Sequence, residues 1–160
     1  MADEDCSTEP AFCTGNEQLC EDFESYTSTS SMMSTAWADG STGQHGQSNF
    51  DFHEGPECFN GGKCLRFNAC NSGGDAFTQQ TFSGSRTLTF MAHGAVLYGP
   101  ALGFPGGHTW PYHPTSSTAS QGWTEHTPGS PGYSSDGWRL MFETHSGNDC
   151  VSYLDNVKVV

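Results

Sequence analysis

The sequence predicts an all-β domain, an antiparallel β-sandwich preceded by an acidic arm. Three observations carry this. No window of about 11 residues shows apolar positions at helical spacing, and good helix formers never cluster. Short runs of strict two-residue alternation recur along the chain instead. Ser and Thr make up 35 of 160 residues and Gly plus Pro another 28, so turn-formers separate the runs.

In chain order, residues 1–18 are acidic and polar, and Cys6, Cys13 and Cys20 follow one another at intervals of seven. The intervening STEPAF and TGNEQL supply no second apolar position and include Pro10, which defeats a heptad. The segment reads as a disulfide-tied arm or linker, with the folded domain over 19–160. KCLRFNAC sets Leu65, Phe67 and Ala69 against Cys64, Arg66 and Asn68. RTLTFMAHG sets Leu88, Phe90 and Ala92 against Thr87, Thr89, Met91 and His93. Residues 99–121 break the rhythm with Pro100, Pro105, Pro111 and Pro114, yet carry Phe104, His108, Trp110, Tyr112 and His113. A loop that long inside a compact domain is functional or disordered, and disordered segments are poor in aromatics. GWRLMFETH sets Trp138, Leu140 and Phe142 against Arg139, Met141 and Glu143. In CVSYLDNVKVV, alternation groups Val151, Tyr153, Asp155, Val157 and Val159 on one face, the expected core face. Period two over so many runs implies sheets with one face turned inward.

Composition narrows the function classes. The formal charge is −13, with 12 acids and no Lys or Arg in residues 1–62, against 6 acids and all 5 bases in 63–160. So few cations exclude nucleic-acid binding through phosphates and electrostatic attachment to anionic lipid. Leu, Val and Phe, with no Ile, total 23 residues. That share is below the roughly 20 % at which high charge signals disorder. The 20 aromatics, 7 Cys and 5 Met argue for a folded domain, with few large core pieces and disulfides in place of aliphatic burial.

Seven cysteines without a CxxC pair fit neither a zinc site nor a thioredoxin motif, and read as disulfides formed in an oxidising compartment. Connectivity does not follow from spacing, except that Cys58 and Cys64 would close a small loop in CFNGGKC. The odd number leaves one thiol free or paired with another chain. No apolar run approaches the ~18 residues of a membrane span, and MADEDCSTEP lacks a hydrophobic signal core. The chain is expected to be a secreted protein whose leader has been removed.

LCEDFESYTSTS followed by Trp37, and SYLDNVKVV at the finish, resemble the first and last strands of a jelly-roll β-sandwich. The resemblance is to the superfamily of carbohydrate-binding-module and MAM-like extracellular domains. These open on an acidic DFE with a downstream Trp and close on an aromatic-aliphatic-Asp-Asn-Val strand. GWTEHT, the turn PGSPGYSSDG and WRLMFET match the penultimate pattern, so the likeness covers residues 19–160.

The resemblance implies a structural calcium shared by an acid of the opening strand and the Asp of the closing one. The matching positions are Asp22 or Glu24, and Asp155. An independent reason is that a carboxylate on a core face must be paired or metal-bound, and Ca²⁺ accepts carboxylates and backbone carbonyls alike. The alternative is a hydrogen-bonded carboxylate capping a strand turn.

The expected function is non-catalytic binding of a polysaccharide or glycan. Pyranose rings stack their apolar C–H faces on Trp or Tyr while polar neighbours set orientation. Trp110 and Tyr112 are the candidate platform, with hydrogen bonds from His108 and His113, and from Gln44 and Asn71. The alternative for Trp110 is a side chain folded back into its own loop. Trp37, Trp123 and Trp138 are expected in the core, and Tyr98 and Tyr133 stay open. His93, His108, His113 and His126 could hold Zn²⁺ or Cu²⁺ only if the fold gathers them. His45, His53, His126 and His145 otherwise read as solvated. No nucleophile motif appears, and the one carboxylate pair available for glycan hydrolysis is Glu143 with Glu125. A third class is a structural or adhesion subunit joined to other copies through its odd Cys.

Overall fold

The computed structural model describes residues 12–39, 50–68, 74–94, 97–104, 107–109, 122–127, 138–144 and 151–160, with backbone alone at 39, 74–75, 97–104, 107–109 and 143–144. Eleven strands, one short α-helix and a 3-10 turn at Phe59–Gly61 follow in order among them. They are β1 (Leu19–Glu21), α1 (Thr29–Thr35), β2 (Trp37–Asp39), β3 (Phe50–Glu54), β4 (Lys63–Asn68), β5 (Gly74–Thr78) and β6 (Leu88–Gly94). Then come β7 (Leu97–Phe104), β8 (Gly107–Thr109), β9 (Thr124–His126), β10 (Arg139–Thr144) and β11 (Val151–Val159). One sheet runs β3-β4-β11-β6-β9, with β1 also against β11, and the other runs β2-β5-β10-β7-β8. Every pairing is antiparallel. This is the antiparallel sandwich expected from the alternating runs, in the jelly-roll form that the strand-motif resemblance implied.

The core between the sheets is largely aromatic. Leu65 and Phe67 of β4, Leu88, Phe90 and Ala92 of β6, and Leu140 and Phe142 of β10 are buried, each on the predicted face of its run. Phe90 meets Phe142 edge-on at 5.1 Å, joining the two sheets, and Phe142 reaches Trp37 at 6.3 Å. Phe23 stacks on Trp37 at 5.8 Å. Trp138 bridges to Phe82 outside the named strands and donates its indole N–H to Gly84 O at 3.0 Å. Trp37 and Trp138 are core residues, as expected; Trp123 is not.

Sequence pattern missed α1 because only Met32 buries fully from it. A capping box starts the helix: Ser28 Oγ accepts from Ser31 N, and Ser31 Oγ accepts from Ser28 N. At its far end the Gln79 side-chain amide donates to Met33 O and to Trp37 O, and Gln79 N donates to Ala36 O, covering carbonyls that a helix end leaves open.

Two disulfides lie among the described residues, Cys13–Cys20 and Cys58–Cys64. The first ties the front segment to β1. Thr14 and Gly15 donate to Glu17 there, holding its carboxyl down at about 2. Lys158 of β11 reaches Glu17 at 3.9 Å and lies 4.0 Å from the Phe12 ring centroid, so residues 12–18 sit against the last strand.

The last strand departs from strict alternation. Between Asp155 and Lys158 its register with β6 slips by one residue, a β-bulge with Asn156 at φ 50°. Ser152 and Leu154 face inward before the bulge, and Val157 and Val159 after it. Val151 and Tyr153 are therefore half-exposed, which corrects the single core face drawn from alternation alone. Trp37→Ala is expected to lower unfolding free energy by about 3–5 kcal/mol in chemical denaturation, as for a large buried aromatic with no room to collapse.

Candidate functional site

The outer face of the β3-β4-β11-β6-β9 sheet carries one line of cross-strand neighbours. Asp51 pairs with Arg66, Arg66 with Tyr153 and Tyr153 with His93. Ala92 pairs with Thr124, which brings Trp123, the residue before β9, beside His93. Their rings lie 5.6 Å apart at 28°, and His93 and Tyr153 lie 5.9 Å apart at 24°. His53 of β3 closes on the far side of Tyr153 at 5.6 Å. The Trp123 and Tyr153 ring centroids are 6.5 Å apart, so the rings form one compact cluster across β11, β6 and the start of β9. Its three rings and that of His53 are all half-exposed.

The β3–β4 connection reaches across the outer face from His53 to Trp123. Trp123 donates its indole N–H to Glu57 O at 3.1 Å and meets Phe59 edge-on at 5.7 Å. His53 Nε2 lies 3.2 Å from Glu57 Oε2, and Arg66 donates Nε and Nη2 to the two oxygens of Asp51 at 2.9 and 2.6 Å. Ring surface at one end of the line thus adjoins oriented donors and acceptors at the other. Burial, with Glu57 beside it, raises the Tyr153 hydroxyl above its ordinary value, so the phenol stays protonated at neutral pH. Sequence reasoning placed Trp123 and Tyr153 in the core and His53 in solvent. The corrections come from the bulge, and from β9 being so short that Trp123 precedes it.

A second feature lies where the end of β1, the β3–β4 connection and the bulge meet. Asp155 is 2 % exposed and accepts from Asn156 N at 2.7 Å. Burial pushes its carboxyl up to about 8, and the neighbouring carboxylates Glu24 and Asp22 add to the rise. Glu24 accepts from Lys63 N at 2.8 Å and sits so close to Gly62 that a Cβ there would lie 2.0 Å from Oε1. Asp22 accepts from Glu24 N at 3.1 Å. Lys63 Nζ donates to the carbonyls of Glu24 and Tyr26, both at 3.0 Å. The three predicted acids therefore share one corner, although no group of three His, Cys, Asp or Glu side chains converges at metal-ligand range among the described residues. The side-chain donors are all oxygens, the atom type a hard cation takes, and no Lys or Arg among the described residues is ion-paired with Asp155. The buried acid of the opening strand is Glu21. Its carboxylate accepts from Tyr26 OH at 2.5 Å and Phe23 N at 2.9 Å, holding Phe23 at φ 60°.

Other candidates separate. Trp110, Tyr112, His113, Gln44 and Asn71 lie outside the described residues, and of His108 only the backbone, in β8, is described. His93 lies on the outer face, whereas His126 is buried against Phe90 at 5.0 Å on the core face, so these two do not share an ion. That burial also corrects the reading of His126 as solvated. Glu125 and Glu143 belong to strands of different sheets.

Solved structures show what this architecture resembles. The K2 cleaved adhesin domain of Lys-gingipain superposes with a TM-score of 0.63 at 14 % identity, over 89 % of this chain and 98 % of that one. A CBM22-1 xylan-binding domain from Paenibacillus barcinonensis Xyn10C gives 0.58 at 13 %, covering 88 % and 91 %. TmCBM61, solved with β-1,4-galactotriose, gives 0.51 at 9 %, covering 78 % and 86 %. The fold is that of the carbohydrate-binding-module-like jelly rolls, in agreement with the strand motifs of the sequence. No protein-family model and no curated protein matches the chain.

The raised carboxyl has a signed consequence in protein stripped of divalent cations. The folded state holds the Asp155 proton more tightly than the unfolded chain, whose Asp titrates near 3.8. The group's contribution to stability is therefore complete below about pH 4, falls as pH rises toward about 8, and is flat above. Thermal melts across that range should show the fall in the parent protein and its loss in Asp155→Asn.

Proposed function

We propose that this protein is a non-catalytic, secreted glycan-binding module whose ligand lies along the Tyr153–His93–Trp123 row. The observation that carries the reading is the row itself: the half-exposed rings of Tyr153, His93 and Trp123 side by side on the outer face, with His53 against Tyr153 and the Asp51–Arg66 pair at one end. Ring surface receives the C–H faces of successive sugars, and Arg66, Asp51, His53 and Glu57 hold their hydroxyls. The xylan and galactotriose named for two of the similar structures point to the same ligand class. Two disulfides favour an oxidising compartment, and no helix among the described residues is long and apolar enough to cross a membrane.

The loop aromatics Trp110 and Tyr112, with His108 and His113, remain a competing platform, and one experiment separates the two. In affinity electrophoresis against a panel of plant and microbial polysaccharides, Trp123→Ala and Tyr153→Ala should each weaken binding at least roughly tenfold, the scale of a lost aromatic anchor. Their thermal midpoints should stay within about 5 °C of the parent. Binding lost in Trp110→Ala but retained in both row variants would move the site to the loop.

Asp155, with Glu24 or Asp22, would hold a structural Ca²⁺ at the corner beside the row, the ion supplying the counter-charge that the buried carboxylate lacks. Added Ca²⁺ should raise the melting temperature of chelator-treated protein at neutral pH and leave Asp155→Asn unmoved. An adhesion role is favoured by one count. Two disulfides use four of the seven cysteines, and the remaining Cys6, Cys70 and Cys150 cannot all pair within one chain.

A further inference from the structure

We infer, resting on the glycan-binding reading of the row, that the Asp51–Arg66 pair makes its polar end selective for uncharged glycans over anionic ones. Asp51, Arg66, Tyr153 and His93 are consecutive cross-strand neighbours, so a ligand on the aromatic end extends over the ion pair. Arg66 is the cation that a uronate or sulfate group would seek there. Both oxygens of Asp51 already occupy its fork, at 2.9 and 2.6 Å, in the bidentate geometry an incoming carboxylate would need. An anionic sugar must either displace Asp51 or sit beside it against like charge.

A hydroxyl meets neither obstacle. A guanidinium has five N–H donors, and the pair leaves three of them on a side chain 31 % exposed. The Asp51 side chain is 38 % exposed, and its oxygens keep lone pairs that accept from a neighbouring hydroxyl. The pair therefore presents donors and acceptors side by side with its net charge cancelled, as adjacent sugar hydroxyls require.

The rest of the face agrees. The other two cations in the strands of this sheet are engaged, Lys63 by the carbonyls of Glu24 and Tyr26, and Lys158 by Glu17 and Phe12. Glu57, in hydrogen-bond contact with His53, and the exposed Glu125 of β9 add acidic acceptors along the face. The chain's charge of −13 adds repulsion of polyanions at low salt.

The test compares binding to uncharged xylan and galactan with binding to polygalacturonate at one fixed ionic strength, for the parent, Asp51→Asn, Arg66→Gln and Glu125→Gln. The parent should bind an uncharged polymer and be at least roughly tenfold weaker on polygalacturonate. Asp51→Asn frees the guanidinium and should raise the anionic-to-neutral affinity ratio roughly tenfold. Glu125→Gln removes the same charge without freeing a cation and should leave that ratio near the parent's. Arg66→Gln should lower the ratio, which tests the pair even if Asp51→Asn fails to fold. A parent that binds polygalacturonate as well as neutral polymers, or equal gains in Asp51→Asn and Glu125→Gln, would overturn the selectivity while leaving glycan binding intact. A parent that binds no glycan at all would remove both.

Discussion

Strand β11 carries one more residue than β6 needs between their two stretches of pairing, and that residue decides where several key side chains go. Before it, even-numbered positions face the core; after it, odd-numbered ones do. Without the slip, alternation would set Leu154 and Val157 on opposite faces, and either the core or the outer row would lose its residues. With it, Leu154, Val157 and Val159 all reach the core, Tyr153 turns out to the centre of the row, and Asp155 is buried among acids. Asn is suited to the left-handed backbone required at 156, because its short polar side chain tolerates that region better than a branched one.

The same strand joins the parts of the sheet. Its first half pairs with β4, its second half with β1, and most of its length with β6, so it lies beneath the row, the acidic corner and the docked front segment alike. The acidic corner is consequently coupled to the row through backbone. Asp155 lies two residues from Tyr153, and the connection containing Phe59 and Glu57 packs over both neighbourhoods. An ion at Asp155 would stiffen that connection, and with it the acceptor that orients Trp123. The scarcity of aliphatic residues makes this economy necessary. With so few Leu and Val, the interior is assembled from Phe and Trp, whose flat rings demand defined contacts such as Phe90 against Phe142.

Fold class was legible because period-two alternation survives in strands that have one wet face: β4, β6 and β10 buried the residues their patterns named. The opening and closing motifs were legible as a jelly-roll signature for the same reason. Helix α1 was invisible because its start rests on two serines and its end on Gln79, more than forty positions away. The row was invisible for a different reason. A line across five strands has no sequence spacing, since Asp51, Arg66, Tyr153, His93 and Trp123 meet only through register. The bulge hid Tyr153 as well, because alternation counted back from Val159 assigns it to the core. Asp155 was recognised as a carboxylate needing compensation, although the face assumed for it was drawn from an alternation that breaks there.

The central claim is that the ligand meets the outer face of the β3-β4-β11-β6-β9 sheet at Trp123. Four tryptophans give four indole N–H resonances, and Trp37 and Trp138 are buried in the core. Titrating ¹⁵N-labelled protein with a bound oligosaccharide should shift the Trp123 indole signal progressively and leave those of Trp37 and Trp138 in place. A titration in which the Trp110 signal alone moves, while Trp123 stays fixed to saturation, would contradict the account.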